Sequence, residues 1–319
     1  MSRSVLIFCV IAALVVASLG AGVMLQKILP PSPDSPAARQ AAIRAMAAED
    51  DAFYAELDKL AATESSGAVT SHIFRRMHAK PRLLAVALDW ARDNSVRQED
   101  FSKLNPFYFM LYADLAYLGA QAFKDQGMTE GYEDLSKTAF ASLLNFDLLI
   151  ATDALRCADT TVRDLRASMV APRYNLLDYI FEVMTVDELM ELYMALLSAE
   201  SAMGSRAPNR ELCSAGAAGK AALLENPGTQ RKEEDVPNMP GTKRTILIPP
   251  PDFHYEPEYI QLEEWLTKRA QMQHAVRDSW YQRQLNHEKR KTDALEIIEE
   301  LKKSLEQSQN GTPEPSVDA

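Results

Sequence analysis

Hydrophobic positions follow three regimes along the chain. From Val5 to Leu25 they run unbroken, VLIFCVIAALVVASLGAGVML, with Ser18 as the one polar side chain. From 36 to 204 they recur every three or four residues, and from 256 to 309 they thin to the two ends of a densely charged stretch. Each regime predicts a different element.

At about 1.5 Å rise per residue, the run from Val5 to Leu25 makes a helix of roughly 30 Å, the thickness of a bilayer core. Residues 1–26 therefore read as a membrane anchor. The same residues also read as a cleavable signal sequence, with Arg3 as basic flank and Ala17, Ser18, Gly20, Ala21 and Gly22 as small residues around a cut. Both readings export the chain from Gln26 onward, to the periplasmic or extracellular side. The prolines of 27–35 make a stiff spacer, since each fixes its own φ and biases its predecessor towards extended backbone.

The second regime predicts a bundle of about six or seven helices over 36–204. Ser35 and Pro36 read as cap and first residue of a helix to about Ala62, which Glu64-Ser-Ser-Gly67 ends. Shorter helices follow at Ser71–Ala79 and Pro81–Asn94. Asn105 and Pro106 start a helix to about Gly127 that is apolar nearly all round, so it must be surrounded by others. Thr129 is expected to cap the next, which runs to about Arg156 and forms an antiparallel hairpin with its predecessor. Val162–Tyr174 reads as a connection. A segment from Leu176 to Met184 then leads to Thr185-Val-Asp-Glu188, whose spacing is that of a capping box.

Residues 205–255 read as an irregular Pro/Gly-rich linker and strap, helical only around Glu211–Glu225. Before residue 240 no strand is expected. The triplet Ile246, Leu247 and Ile248 precedes three prolines, a run that either packs along its own domain or docks a partner. Apart from Pro257, residues 256–309 lack Pro and Gly and predict one long helix. Tyr259, Leu262 and Leu266 open it, Val276 and Trp280 continue, and Ala294, Ile298, Leu301 and Leu305 close it with 4,3,4 spacing. His287–Lys291 interrupts any coiled-coil seam, so the helix is expected to project as an arm or to fold back on the bundle. Residues 310–319 read as a disordered tail. The expected class is all-α.

Composition adds two constraints. A net charge of −11 argues against nucleic acid as a partner, because phosphate binding needs an excess of Lys and Arg. Of three cysteines, Cys9 lies in the apolar run, leaving Cys157 and Cys213 free to pair in an oxidising compartment or to remain thiols.

Candidate chemistry is sparse. No nucleotide-binding, zinc-protease or serine-hydrolase motif is present, and no cofactor or metal is expected. His72 and His78, six apart, fall on different sides of a helix. Asp114, Asp147 and Asp153 lie in apolar helices where burial would raise a pKa, the condition for general acid–base work. Asp147 and Asp153 are about 240° apart round their helix, so Asp114 with Asp147 is the pair able to meet. Met190 and Met194 at i,i+4 read as core methionines rather than copper ligands.

The functional expectation is an anchored, exported, non-catalytic helical scaffold that binds proteins or itself through its C-terminal helix. Its contacts are expected at Ile246, Leu247, Ile248, Leu262, Leu266, Trp280, Ile298, Leu301 and Leu305. The alternatives are a helical enzyme with carboxylates in a bundle cleft, and a carrier of lipid or another small ligand.

Overall fold

The computed structural model describes residues 36–98, 100, 104–173, 180–181, 184–204, 206–235, 243–250 and 253–310. The apolar run 5–25, the spacer and the tail from 311 lie outside them, as does most of the segment Leu176–Met184. Among the described residues no helix is long and apolar enough to cross a membrane.

The fold is mostly helical. Helix α1 is Pro36–Thr63 and α2 is Ser66–Ala79. Ser65 caps α2 by accepting from the Ala68 N–H, so the Ser65-Ser66-Gly67 stretch read as a break is the start of a helix. A 3₁₀ turn, Pro81–Leu83, leads into α3, Leu84–Asp93.

Helix α4, Pro106–Asp125, begins as its sequence predicts: the Asn105 side chain accepts from the Phe107 N–H and Pro106 fills the first helical position. Gly127 follows it with a φ of 72°, which closes the turn. Helix α5, Thr129–Ala154, runs back antiparallel, with Phe107 against Phe146 at one end and Gly131 under Phe123 at the other. Met128, not Thr129, occupies the cap position, and no side chain bonds there. Gly119 lets the pair approach closely, since a Cβ would stand 2.9 Å from Leu135.

Helix α4 is the wall between two cores. On one side Tyr108, Leu111, Tyr112 and Leu115 meet Phe53 and Leu57 of α1, Val69 and Ile73 of α2, and Trp90 of α3. On the other, Phe109, Ala113 and Ala116 share a core with most of α5. This is the arrangement demanded of a helix apolar on all sides.

The connection expected after α5 is itself partly helical: a 3₁₀ segment Thr160–Asp164, α6 at Leu165–Val170 and a 3₁₀ turn Ala171–Arg173. Helix α7, Val186–Ala202, opens with the predicted capping box of Thr185 and Glu188. Two short helices follow, α8 at Arg210–Ser214 and α9 at Ala217–Glu225.

The linker then departs from expectation. Gln230–Asp235 (β1) and Lys243–Ile248 (β2) form an antiparallel hairpin, with Gln230 opposite Ile248 and Asp235 opposite Lys243. Sequence QRKEED hides β1 because it offers no apolar alternation. The last helix, α10, spans Leu262–Asn310. Residues 256–260, expected inside it, instead run extended against the end of α5, with the Ala158 N–H donating to Glu258 and the Ile260 N–H to Arg156.

Candidate interaction site

The first half of α10 is fastened to the bundle by Trp265. Its indole N–H donates to the Thr152 carbonyl at 2.8 Å, and its ring is fully buried. The guanidiniums of Arg156, Arg269 and Arg206 lie 4.5, 5.1 and 5.5 Å from its centroid. Such contacts draw the cation towards the negative face of the ring, more strongly where water is excluded.

Two buried carboxylates pair with two of these cations, Arg206 and Arg269. Arg206 donates to Asp153 at 2.8 Å and to the Thr152 hydroxyl at 2.8 Å, and pairs with Glu200 at 2.9 Å. Arg269 also donates to Glu200, and Gln273 adds another bond to the same carboxylate. Burial alone would push Glu200 up, but Arg206 and Arg269 hold it below the ordinary carboxylate range. Burial pushes the Asp153 carboxyl up, against the pull of Arg206 and Arg156. Arg206, although burial works against its charge, is held above its ordinary value by Asp153 and Glu200.

The strap is pinned beside this latch. Cys157 and Cys213 are disulfide-bonded, joining the end of α5 to α8. Cys157 also bridges to Tyr259, and Arg210 donates to the Tyr255 carbonyl at 2.9 Å. Farther along α10, Val276 and Trp280 enter the core shared with α5 and α7, and the Trp280 indole donates to Asp147 at 2.8 Å.

Trp280 therefore corrects the expectation of a partner contact: it is buried in its own chain, and its exposure is 2%. The other expected positions are distributed differently. Leu262 and Leu266 are exposed at the start of α10, Ile248 is exposed on β2, and Ile246 and Leu247 are half-buried. Ile298 is exposed, and Leu301 and Leu305 belong to α10 with side chains outside the described set.

Beyond His287 the helix leaves the bundle: every residue from 288 to 300 is exposed. Leu295, Ile297 and Ile298 are exposed there by 55, 58 and 46%. Three large aliphatic side chains fall within four residues of a solvated helix, with Ile298 between Leu295 and Ile297 around its circumference.

The acid candidates each have their own arginine. Asp114 accepts two bonds from Arg173, and Asp147 accepts two from Arg166 besides the Trp280 indole. The structure assigns Asp153 to the buried latch. His72 faces Glu56 and His78 is exposed. Among the described residues no three His, Cys, Asp or Glu gather as a metal site. Met190 packs against the core as expected, but Met194 is exposed.

Glu200, Arg206 and Arg269 escaped the sequence reading because each is charged. A signal was present: Leu189, Tyr193, Leu196 and Glu200 follow 4,3,4 spacing, and Trp265, Arg269, Met272 and Val276 follow the same rule. A charge that keeps the phase of a buried stripe needs a buried counter-charge. No protein-family model, no curated protein and no solved structure matches the chain.

Proposed function

We propose that the protein is a membrane-anchored, exported helical interaction module whose binding element is the projecting half of α10. The observation that carries this reading is the exposed aliphatic group of Leu295, Ile297 and Ile298 on a helix held rigidly at its other end by Trp265 and Trp280. A fixed base matters energetically, because a pre-ordered helix loses less entropy on binding than a free one.

Export is supported by the Cys157–Cys213 disulfide, which oxidising compartments maintain, and by the apolar run Val5–Leu25 as anchor or signal. The carboxylate-enzyme reading has no comparable support, since Asp114 and Asp147 are each engaged by a separate arginine. The test is capture of partners from the native membrane by the full chain and by a truncation lacking 288–310. The truncation is expected to lose its partner while the disulfide and helical content are kept; undiminished capture overturns the proposal.

A further inference from the structure

The seam that fastens α10 outruns the bundle it fastens to. At about 100° per residue, Trp265, Arg269, Met272, Val276 and Trp280 share one stripe of the helix. Ile298 lies 18 residues past Trp280, about five whole turns, so it returns to the same side, and Ala294 with it. Leu295 and Ile297 flank this continuation, all of it exposed.

We propose that the distal halves of two α10 helices pair antiparallel about a two-fold axis near residue 296, a self-association that rests on the interaction reading above. The pattern of residues is self-complementary about that point. Antiparallel alignment there sets the large Ile298 of one copy over the small Ala294 of the other. It places Leu295 beside its own symmetry mate, and Ile297 likewise. On the flanks, Lys302 of each copy faces Glu288 of the other, giving two equivalent opposite-charge pairs; both residues are exposed.

Parallel pairing is the poorer arrangement. It sets Lys291, seven residues before Ile298 and on the same stripe, beside its own copy, a like-charge contact in the seam. Antiparallel pairing also points the two bundles away from each other, so they do not compete for space. The seam covers few heptads, fewer than a free coiled coil needs. Tethering both copies to one bilayer raises their effective concentration and compensates for that shortness.

The test uses the full chain, with Cys9→Ala to remove the unpaired thiol, in phosphatidylcholine vesicles under mild oxidation. Copies carrying Glu288→Cys and copies carrying Lys302→Cys bear different tags. The mixture is expected to cross-link between tags at least about fivefold more than either variant with itself. Glu299→Cys, on the far side of the helix, sets the level of chance collision. Leu295→Cys is expected to cross-link with itself; adding Lys302→Glu lowers that yield about three- to tenfold, and adding Glu288→Lys as well restores it.

Self-linking of Glu288→Cys equal to the mixed yield shows parallel pairing and overturns the proposal. Yields at the Glu299→Cys level for every pair overturn it as well. If partner capture still depends on 288–310 in that case, the dimer alone fails and the interaction surface stands.

Discussion

At the scale of single residues, Glu200 carries the most consequence. It is fully buried and collects Arg206, Arg269 and Gln273 from two other segments of the chain. Glu200→Gln leaves the guanidiniums short of a counter-charge in a dry site, so it is expected to cost about 3 kcal/mol at neutral pH, read by urea denaturation. The pH dependence has a definite sign. Because its folded pKa lies below the ordinary 4.5, the contribution of Glu200 is fully present above that value and is lost as pH falls through the lower one. Wild type and Glu200→Gln are therefore expected to converge as pH falls below 4.5. Asp153 works the other way, since burial raises it above 3.8 and its charged form is the costly one; the Glu200 charge adds to that rise, so Glu200→Gln relieves part of it.

At the scale of elements, the junction of α5, α8 and the strap decides where α10 starts. The disulfide joins residues 56 apart in sequence, and residues 258–260, between the strap and α10, bond to Arg156 and Ala158 beside it. Closing a loop of that size restricts the unfolded chain by about 4 kcal/mol in the chain-entropy account. The double variant Cys157→Ala, Cys213→Ala is expected to lose about that much, measured as a shift in denaturation midpoint, and reductant on the wild type is expected to reproduce it. Hydrogen exchange at Ala158 and Ile260 reports the same loosening locally.

At the scale of the whole molecule, α10 is two elements in one. Its proximal half is a wall of the bundle and its distal half stands free of it. Removing 288–310 is expected to leave stability within about 0.5 kcal/mol, as for other exposed surface. Removing 262–310 uncovers the faces filled by Trp265, Val276 and Trp280 and strips Arg269 from Glu200, at a cost of about 5 kcal/mol or more. Thermal unfolding of the two truncations beside the full chain separates these outcomes.

Much of this was written in local pattern. The spacing of Phe107, Leu111 and Leu115, the cap at Asn105-Pro106 and the Thr185–Glu188 box fix helices because propensity, periodicity and capping act within a few residues. The burial of α4 between two cores followed from its own apolar circumference. Contacts between distant segments were not legible in that way. Whether Cys157 meets Cys213, whether Trp280 is core or contact, and which arginine answers Asp114, Asp147 or Asp153 depend on how helices far apart in sequence pack, and side-chain type does not encode that. The hairpin β1–β2 is held by main-chain bonds that any sequence can make. Sequence by itself thus determined the helices and the long charged stretch at the end; tertiary packing decided that the stretch is half wall and half free arm, because the bundle is long enough to cover its seam only as far as His287.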